Sequence, residues 1–291
     1  MTACFSTHTV RPRTFGAELF IKIRHKAILP ALLFASFMLF HIAFGENAVT
    51  AWPGPTGQML TGGRLCVDAG NAQEGYFLAN VPGGSSRRLK LQVTMQDHSL
   101  TYDLNQQGIT EVFPFQMGSG EYVISLFENI AGRKYAHAGT VKVAVRLRRE
   151  DAAFLYPNQY INYRPDSTVI AEAEHLCEGL TNREAYEAVC QYMASGFAYD
   201  YVRALTVQAG ALPDIDRCMG TRMGICQDLA AVTVAMLRSR GIPARLVIGY
   251  AGDRYHAWTL ADIEGEELFF DPSAALDAFV STEEYSAERF Y

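Results

Sequence analysis

With 291 residues and 49% hydrophobic positions, the chain can bury a sizeable core and is too apolar for a disordered protein. Its formal charge of −6, from 25 Lys and Arg against 31 Asp and Glu, argues against a general nucleic-acid binder, whose footprint is a concentrated basic surface. Six cysteines are too few for a disulfide scaffold, and no CxxC or CxxxxH spacing marks a zinc site, so neither a metal nor a cofactor is expected.

Residues 1–26 contain Arg11, Arg13, Lys22, Arg24 and Lys26 with Glu18 as the only acid, and read as a basic cytoplasmic N-terminus. They run into AILPALLFASFMLFHIAFG, residues 27–45, a transmembrane anchor or a signal peptide. As a helix this stretch would span about 28 Å, close to the ~30 Å hydrocarbon core and longer than the ~7–15-residue apolar region of a signal peptide. Against the anchor, Ala43 and Gly45 supply the small residues of a cleavage site after Gly45. Either way the remainder is expected outside the cytoplasm, membrane-anchored through residues 27–45 or secreted after cleavage.

Residues 46–62 are rich in Gly, Pro and Thr and form the expected linker. From 63 to 150 the pattern changes to RRLKLQVTM, SLTYDL, EYVISLFEN and GTVKVAVRL, separated by turn clusters such as PGGSS and MGSGE. Alternation of period two predicts half-buried strands of a small all-β sandwich domain, accessory to the C-terminal half of the chain. YPNQYINYRP, residues 156–165, is an aromatic connector.

The pattern then becomes helical, and residues 160–291 form the second predicted domain. Ser167 to Leu180 places Ile170, Ala173, Leu176 and Cys177 three and four apart, and Thr181 with Glu184 makes a capping box for the next helix. Residues 210–222, GALPDIDRCMGTR, read as a loop. RMGICQDLAAVTVAMLRSRGIP, residues 222–243, is a helix with almost no polar face and therefore a core element, stopped by Gly241 and Pro243. Three strand-like runs come next, ARLVIGY, RYHAWTLADI and EELFFDP, as an antiparallel meander; Asp271 and Pro272 open a short helix and residues 281–291 a terminal one. Setting Cys4 and Cys226 aside, Cys66, Cys177, Cys190 and Cys218 are an even number that can pair in an oxidising compartment, with no pairing deducible; Cys177 and Cys190 read first as core residues.

Cys226 stands at the mouth of the apolar helix, where unpartnered N–H groups and the dipole favour thiolate over thiol. His256 lies on the middle strand of the meander and Asp271 at the end of the third. With Glu264 and Gly265 at the centre of the turn, His256 faces Ser273 and Asp271 is its diagonal neighbour on the same sheet face. A register tighter by two residues sets the two directly opposite, whereas a three-residue loop sends Asp271 to the wrong face. In the favourable registers the three residues make a nucleophile, a base and an orienting group. Singly, each has a plainer reading: a buried thiol, a strand histidine, and a helix N-cap.

RMGICQDLAAVTVAMLRSRGIPARLVIGY, then YHAW, then FFDP, resembles the core of the transglutaminase-like superfamily, with Cys, His and Asp in matching order over residues 160–291. The resemblance implies an α+β, papain-like core in a bacterial exported or membrane-anchored member. It implies that Cys226 attacks an amide carbonyl, His256 takes and returns the proton, and Asp271 orients His256. It also implies protein or peptide substrates, cell-wall peptide among them, with hydrolysis favoured over cross-linking; the calcium sites and additional domains of the familiar animal enzymes have no sign here. The Cys226 backbone N–H is expected in the oxyanion hole, with Trp258 and Tyr250 as candidate pocket residues and Asp228 complementing the helix dipole. The competing expectation is a non-catalytic cell-surface binding or adhesion protein of the same fold.

Overall fold

Short alternating runs between tight turns give eight strands before the first helix: β1 (Met59–Gly62), β2 (Leu65–Asp68), β3 (Tyr76–Asn80), β4 (Leu89–Met95), β5 (His98–Leu104), β6 (Glu111–Pro114), β7 (Gly120–Ala131) and β8 (Lys134–Val145). They form two four-stranded antiparallel sheets, ordered β1-β2-β3-β6 and β5-β4-β7-β8. In β4, Leu89, Leu91, Val93 and Met95 are buried while Lys90, Gln92 and Thr94 are half-buried, as period-two patterning requires. The four runs legible in the sequence build the second sheet; the first is made of strands of four or five residues whose pattern is too short to read. This computed structural model describes residues 52–276 and 284–291, so the apolar segment 27–45 and its basic flank lie outside the described residues.

The helical part runs α1 (Thr168–Leu176), α2 (Asn182–Gly196), β9 (Ala198–Tyr199), α3 (Tyr201–Thr206), α4 (Ile215–Thr221), β10 (Met223–Gly224) and α5 (Cys226–Ser239). It continues through β11 (Ala244–Ala251), β12 (Arg254–Ile263), β13 (Glu266–Phe270), α6 (Pro272–Ala275) and β14 (Tyr285–Phe290). Thr181 starts α2 as a capping box: its hydroxyl accepts the Glu184 N–H and the Glu184 carboxylate accepts the Thr181 N–H. Every residue of α5 from Asp228 to Ser239 is buried. A fully buried Val, Leu or Met stabilises by about 1.5–3 kcal/mol, so packing rather than helix propensity holds this element.

The sheet ordered β13-β12-β11-β14 lies against α5, its pairs all antiparallel. Ala257, Ala261 and Ile263 of β12 share a hydrophobic cluster with Leu229, Ala230 and Val234 of α5, and that cluster continues without a break into Leu91, Phe113 and Ile124 of the β-rich stretch. The described chain is thus a mixed α and β fold with antiparallel sheets. Among the described residues no helix is long and apolar enough to cross a membrane.

Three local expectations are corrected. Residues 285–290 form a strand, not a terminal helix, because the exposed edge of β11 offers unpaired backbone groups that outweigh the local preference of a charged segment. The stretch read as a loop holds α4, capped by Asp214, whose carboxylate accepts the Arg217 N–H at 3.0 Å. The apolar α5 also carries a fully buried Arg238, which donates to the carbonyls of Ala244 (2.8 Å), Tyr156 (2.5 Å) and Tyr291 (2.8 Å) and so pins the helix end to the connector and the last residue.

Candidate active site

The turn before Cys226 is packed from beneath. Cys226 is the first residue of α5, preceded by an extended Ile225 and by Gly224. A Cβ on Gly224 would lie 2.8 Å from Cys218 Sγ and 2.9 Å from Asp228 Cβ, so only glycine lets the loop close this tightly. Asp228, two residues into the helix, is completely buried. Its carboxylate accepts the N–H groups of Ile225 (3.1 Å) and Asp214 (3.0 Å) and the Arg203 guanidinium (2.8 and 3.3 Å), and Arg217 approaches to 3.6 Å. Asp228 therefore does more than complement the dipole: it ties α3, α4 and the turn before Cys226 to the start of α5. Gln227 fixes the same region from outside, donating to the Ala211 carbonyl at 3.0 Å.

The placement of His256 and Asp271 depends on one register. Ile263 pairs with Glu266, leaving Glu264 (φ 57°) and Gly265 (φ 81°) as a two-residue turn of the kind that suits tight hairpins. Thr259 then pairs with Phe270, so Asp271 stands opposite the position of Trp258 and diagonal to His256, on one sheet face. This is the first of the favourable registers. His256 Nε2 and Asp271 Oδ2 are 2.8 Å apart, with the residues 6% and 5% exposed. The Cys226 thiol is hydrogen-bonded to the same imidazole. Because Nε2 is engaged by Asp271, Nδ1 is the nitrogen left to the sulfur.

Burial works against charge on both ring and carboxylate, and the pairing overrides it. Burial pulls His256 down, but the Asp271 and Cys226 hydrogen bonds raise it to about 9. Burial pushes Asp271 up, yet hydrogen bonds from His256, Tyr285 and the Ala274 N–H hold it below the usual carboxylate value. Asp271 also caps α6, its Oδ1 accepting the N–H groups of Ser273 (2.8 Å) and Ala274 (3.1 Å). The capping and orienting readings of this residue therefore coexist.

Two tyrosines that no sequence pattern marks complete the site. The Tyr199 hydroxyl, brought in by β9 pairing with β10, accepts the backbone N–H of Cys226. Burial, and next to it the neighbouring Cys226, raise Tyr199 above the ordinary phenol value, so it stays protonated. Tyr285 of β14 donates to Asp271 Oδ2 at 2.6 Å and packs edge-on against Trp258, ring centroids 5.1 Å apart. Trp258 itself is buried, 6.5 Å from the imidazole centroid, while Tyr250 is exposed and pairs with Tyr255 at the hairpin end. Tyr199 comes from a two-residue strand and Tyr285 from a segment of helical appearance, so neither carries a usable spacing.

The other thiols are of a different kind. Burial pushes Cys218 up to about 12 and raises Cys177, which leaves both as inert core groups. Among the described residues no disulfide joins Cys66, Cys177, Cys190, Cys218 or Cys226. No group of three or more His, Cys, Asp and Glu able to hold a metal ion occurs among them either.

Residues 172–269 match the family model described as the Transglutaminase-like superfamily. An uncharacterized protein of Mycobacterium leprae (strain TN) is 32% identical over 105 residues, which are 35% of this chain and 36% of that protein. The chain thus spans about a third of the length of the curated relative it matches. Among solved structures, a candidate cysteine protease from Cytophaga hutchinsonii is similar over 74% of this chain and 83% of its own, with 17% identity and a TM-score of 0.38. Red sea bream transglutaminase is similar over 69% of this chain and 48% of its own, with 12% identity and a TM-score of 0.28.

Proposed function

From the premise that residues 172–269 form a transglutaminase-like core, we propose that the protein is a cysteine hydrolase or acyltransferase acting on amide or peptide bonds. The observation that carries this reading is the hydrogen-bonded chain from Cys226 through His256 to Asp271. His256 holds the proton of the thiol, and the Cys226 thiolate attacks the amide carbonyl carbon. The oxygen that becomes negative takes the backbone N–H of Cys226, and the Tyr199 hydroxyl, no longer accepting that N–H, turns its own proton to the same oxygen as the second donor. His256 then protonates the leaving nitrogen, the carbon–nitrogen bond breaks, and an acyl thioester remains on Cys226. Water, deprotonated by His256, attacks the thioester and releases the acid with the thiol restored; an amine in place of water gives a new amide.

We favour hydrolysis because it needs only water at the thioester, whereas transamidation also requires a subsite that holds an amine against solvent. Polypeptide substrates suit a site that reacts with an amide, and a cell-wall peptide suits a domain exported behind residues 27–45. That placement, anchored or released after Gly45, is part of the same proposal and rests on the basic flank and apolar run of the sequence.

Thiol reactivity tests it. Iodoacetamide should alkylate Cys226 rapidly near neutral pH, and His256→Ala should slow that reaction sharply. An unreactive Cys226, or a profile indifferent to His256→Ala, overturns the assignment. A glutamine peptide with an amine probe, read by mass, separates the branches: stable amine incorporation contradicts hydrolysis.

A further inference from the structure

Asp271 Oδ2 serves two donors at once, His256 Nε2 at 2.8 Å and the Tyr285 hydroxyl at 2.6 Å. Its other oxygen is held by the Ser273 and Ala274 N–H groups, so the carboxylate keeps its orientation whichever donor on Oδ2 is removed. The Tyr285 ring is itself fixed, 5.1 Å from Trp258 and 4.9 Å from Phe269 between centroids. Its strand pairs with β11 through Ala251, and the ladder shifts register at Ile248 and Gly249, where Gly249 is the cross-strand partner of His256. A glycine Cβ there would sit 2.0 Å from the Ser286 carbonyl oxygen, so β14 approaches as closely as it does only over a residue without a side chain.

We propose that Tyr285 is a positioning residue that acts through Asp271: by donating to the oxygen that His256 uses, it limits how tightly the carboxylate holds the imidazole proton. Two donors on one carboxylate oxygen divide its negative charge, so each is bound less strongly than it would be alone. The chemistry gives this a purpose. His256 must keep its proton while the thiolate attacks and then surrender it to the leaving nitrogen, and an imidazolium held too firmly is a poor acid. Among the described residues, the titratable groups that bear on His256 include Cys226 from α5, Asp271 just after β13 and, through that carboxylate, Tyr285 from β14. The inference rests on the assignment of the protein as a cysteine enzyme.

The test is the pH profile of Cys226 alkylation in the full chain, whose upper inflection reports loss of the His256 proton, together with the imidazole proton resonance of His256. Tyr285→Phe keeps the ring and removes only the donor; the upper inflection should move up by about half a pH unit, the worth of one ordinary hydrogen bond. Turnover of an amide substrate should fall through kcat with KM little changed. Incorporating 3-fluorotyrosine at position 285, a stronger donor of the same shape, should move the inflection down and keeps the test open if Tyr285→Phe does not fold. An inflection that stays in place or moves in the opposite direction in these variants overturns the role of Tyr285 alone. A wild-type profile with no upper inflection, or one that survives His256→Ala, overturns the catalytic reading and this inference with it.

Discussion

Phe270 lies opposite Thr259 in the β12–β13 ladder, and this pairing makes Asp271 a neighbour of His256. A slip of one residue would turn Asp271 to the opposite face, where Phe270 now packs into the core. Asp271→Asn keeps the shape and the register but removes the charge. His256 should then titrate well below its present value of about 9, toward the unperturbed ~6.5. Amide turnover should fall on the order of 10²–10⁴-fold, because the imidazolium loses its stabilising partner.

The same pair gives stability a pH window. His256 is raised in the folded state, so its contribution is complete below ~6.5 and disappears as the pH rises through about 9. Asp271 is depressed, so its contribution is present above ~3.9 and disappears as the pH falls through its lowered value. Thermal melts of wild type against Asp271→Asn should differ most between roughly pH 4 and 6.5 and converge toward both extremes. A difference that keeps growing above pH 9 would contradict this assignment of the charges.

Asp228 joins two arginines from two helices to the turn before Cys226, with its own side chain wholly buried. Asp228→Ala removes the carboxylate partner of Arg203, leaves Arg217 with Asp200 alone at 3.2 Å, and strips the Ile225 and Asp214 N–H groups of their acceptor. Removing one partner of a buried pair costs about 3–5 kcal/mol; Arg203 and Arg217, with side chains 23% and 32% exposed, place the loss near the lower end. Urea unfolding measures it, and a cycle with Arg203→Met isolates the coupling. A loss below about 1 kcal/mol would show that solvent replaces the network.

Gly249 pairs with His256 on one side and with Ala287 of β14 on the other. Gly249→Ala must displace the Ser286 carbonyl, which costs about 1–3 kcal/mol and loosens the ladder that carries Tyr285. Amide exchange across residues 285–290 should accelerate, and the alkylation profile should move in the direction expected for Tyr285→Phe. Unchanged exchange would mean that β14 absorbs the methyl group without leaving β11.

Sequence alone determined the helix of Cys226, the meander after it, the four longer strands of the β-rich stretch and the three residues now linked by hydrogen bonds. These were legible because hydrophobic period, glycine and proline signals and capping residues act within a few positions of one another. Even there the Cys226, His256 and Asp271 relationship was conditional, since one residue of slip in the turn reverses a strand face. Only the tertiary structure decided that register, buried Asp228 and Arg238 among polar partners from distant elements, and turned residues 285–290 into a strand. It also brought Tyr199 to the Cys226 N–H and Tyr285 to Asp271. Those outcomes depend on which backbone edges and buried charges are left unpaired once the core has closed, a condition set by the assembled fold and carried by no local stretch of chain.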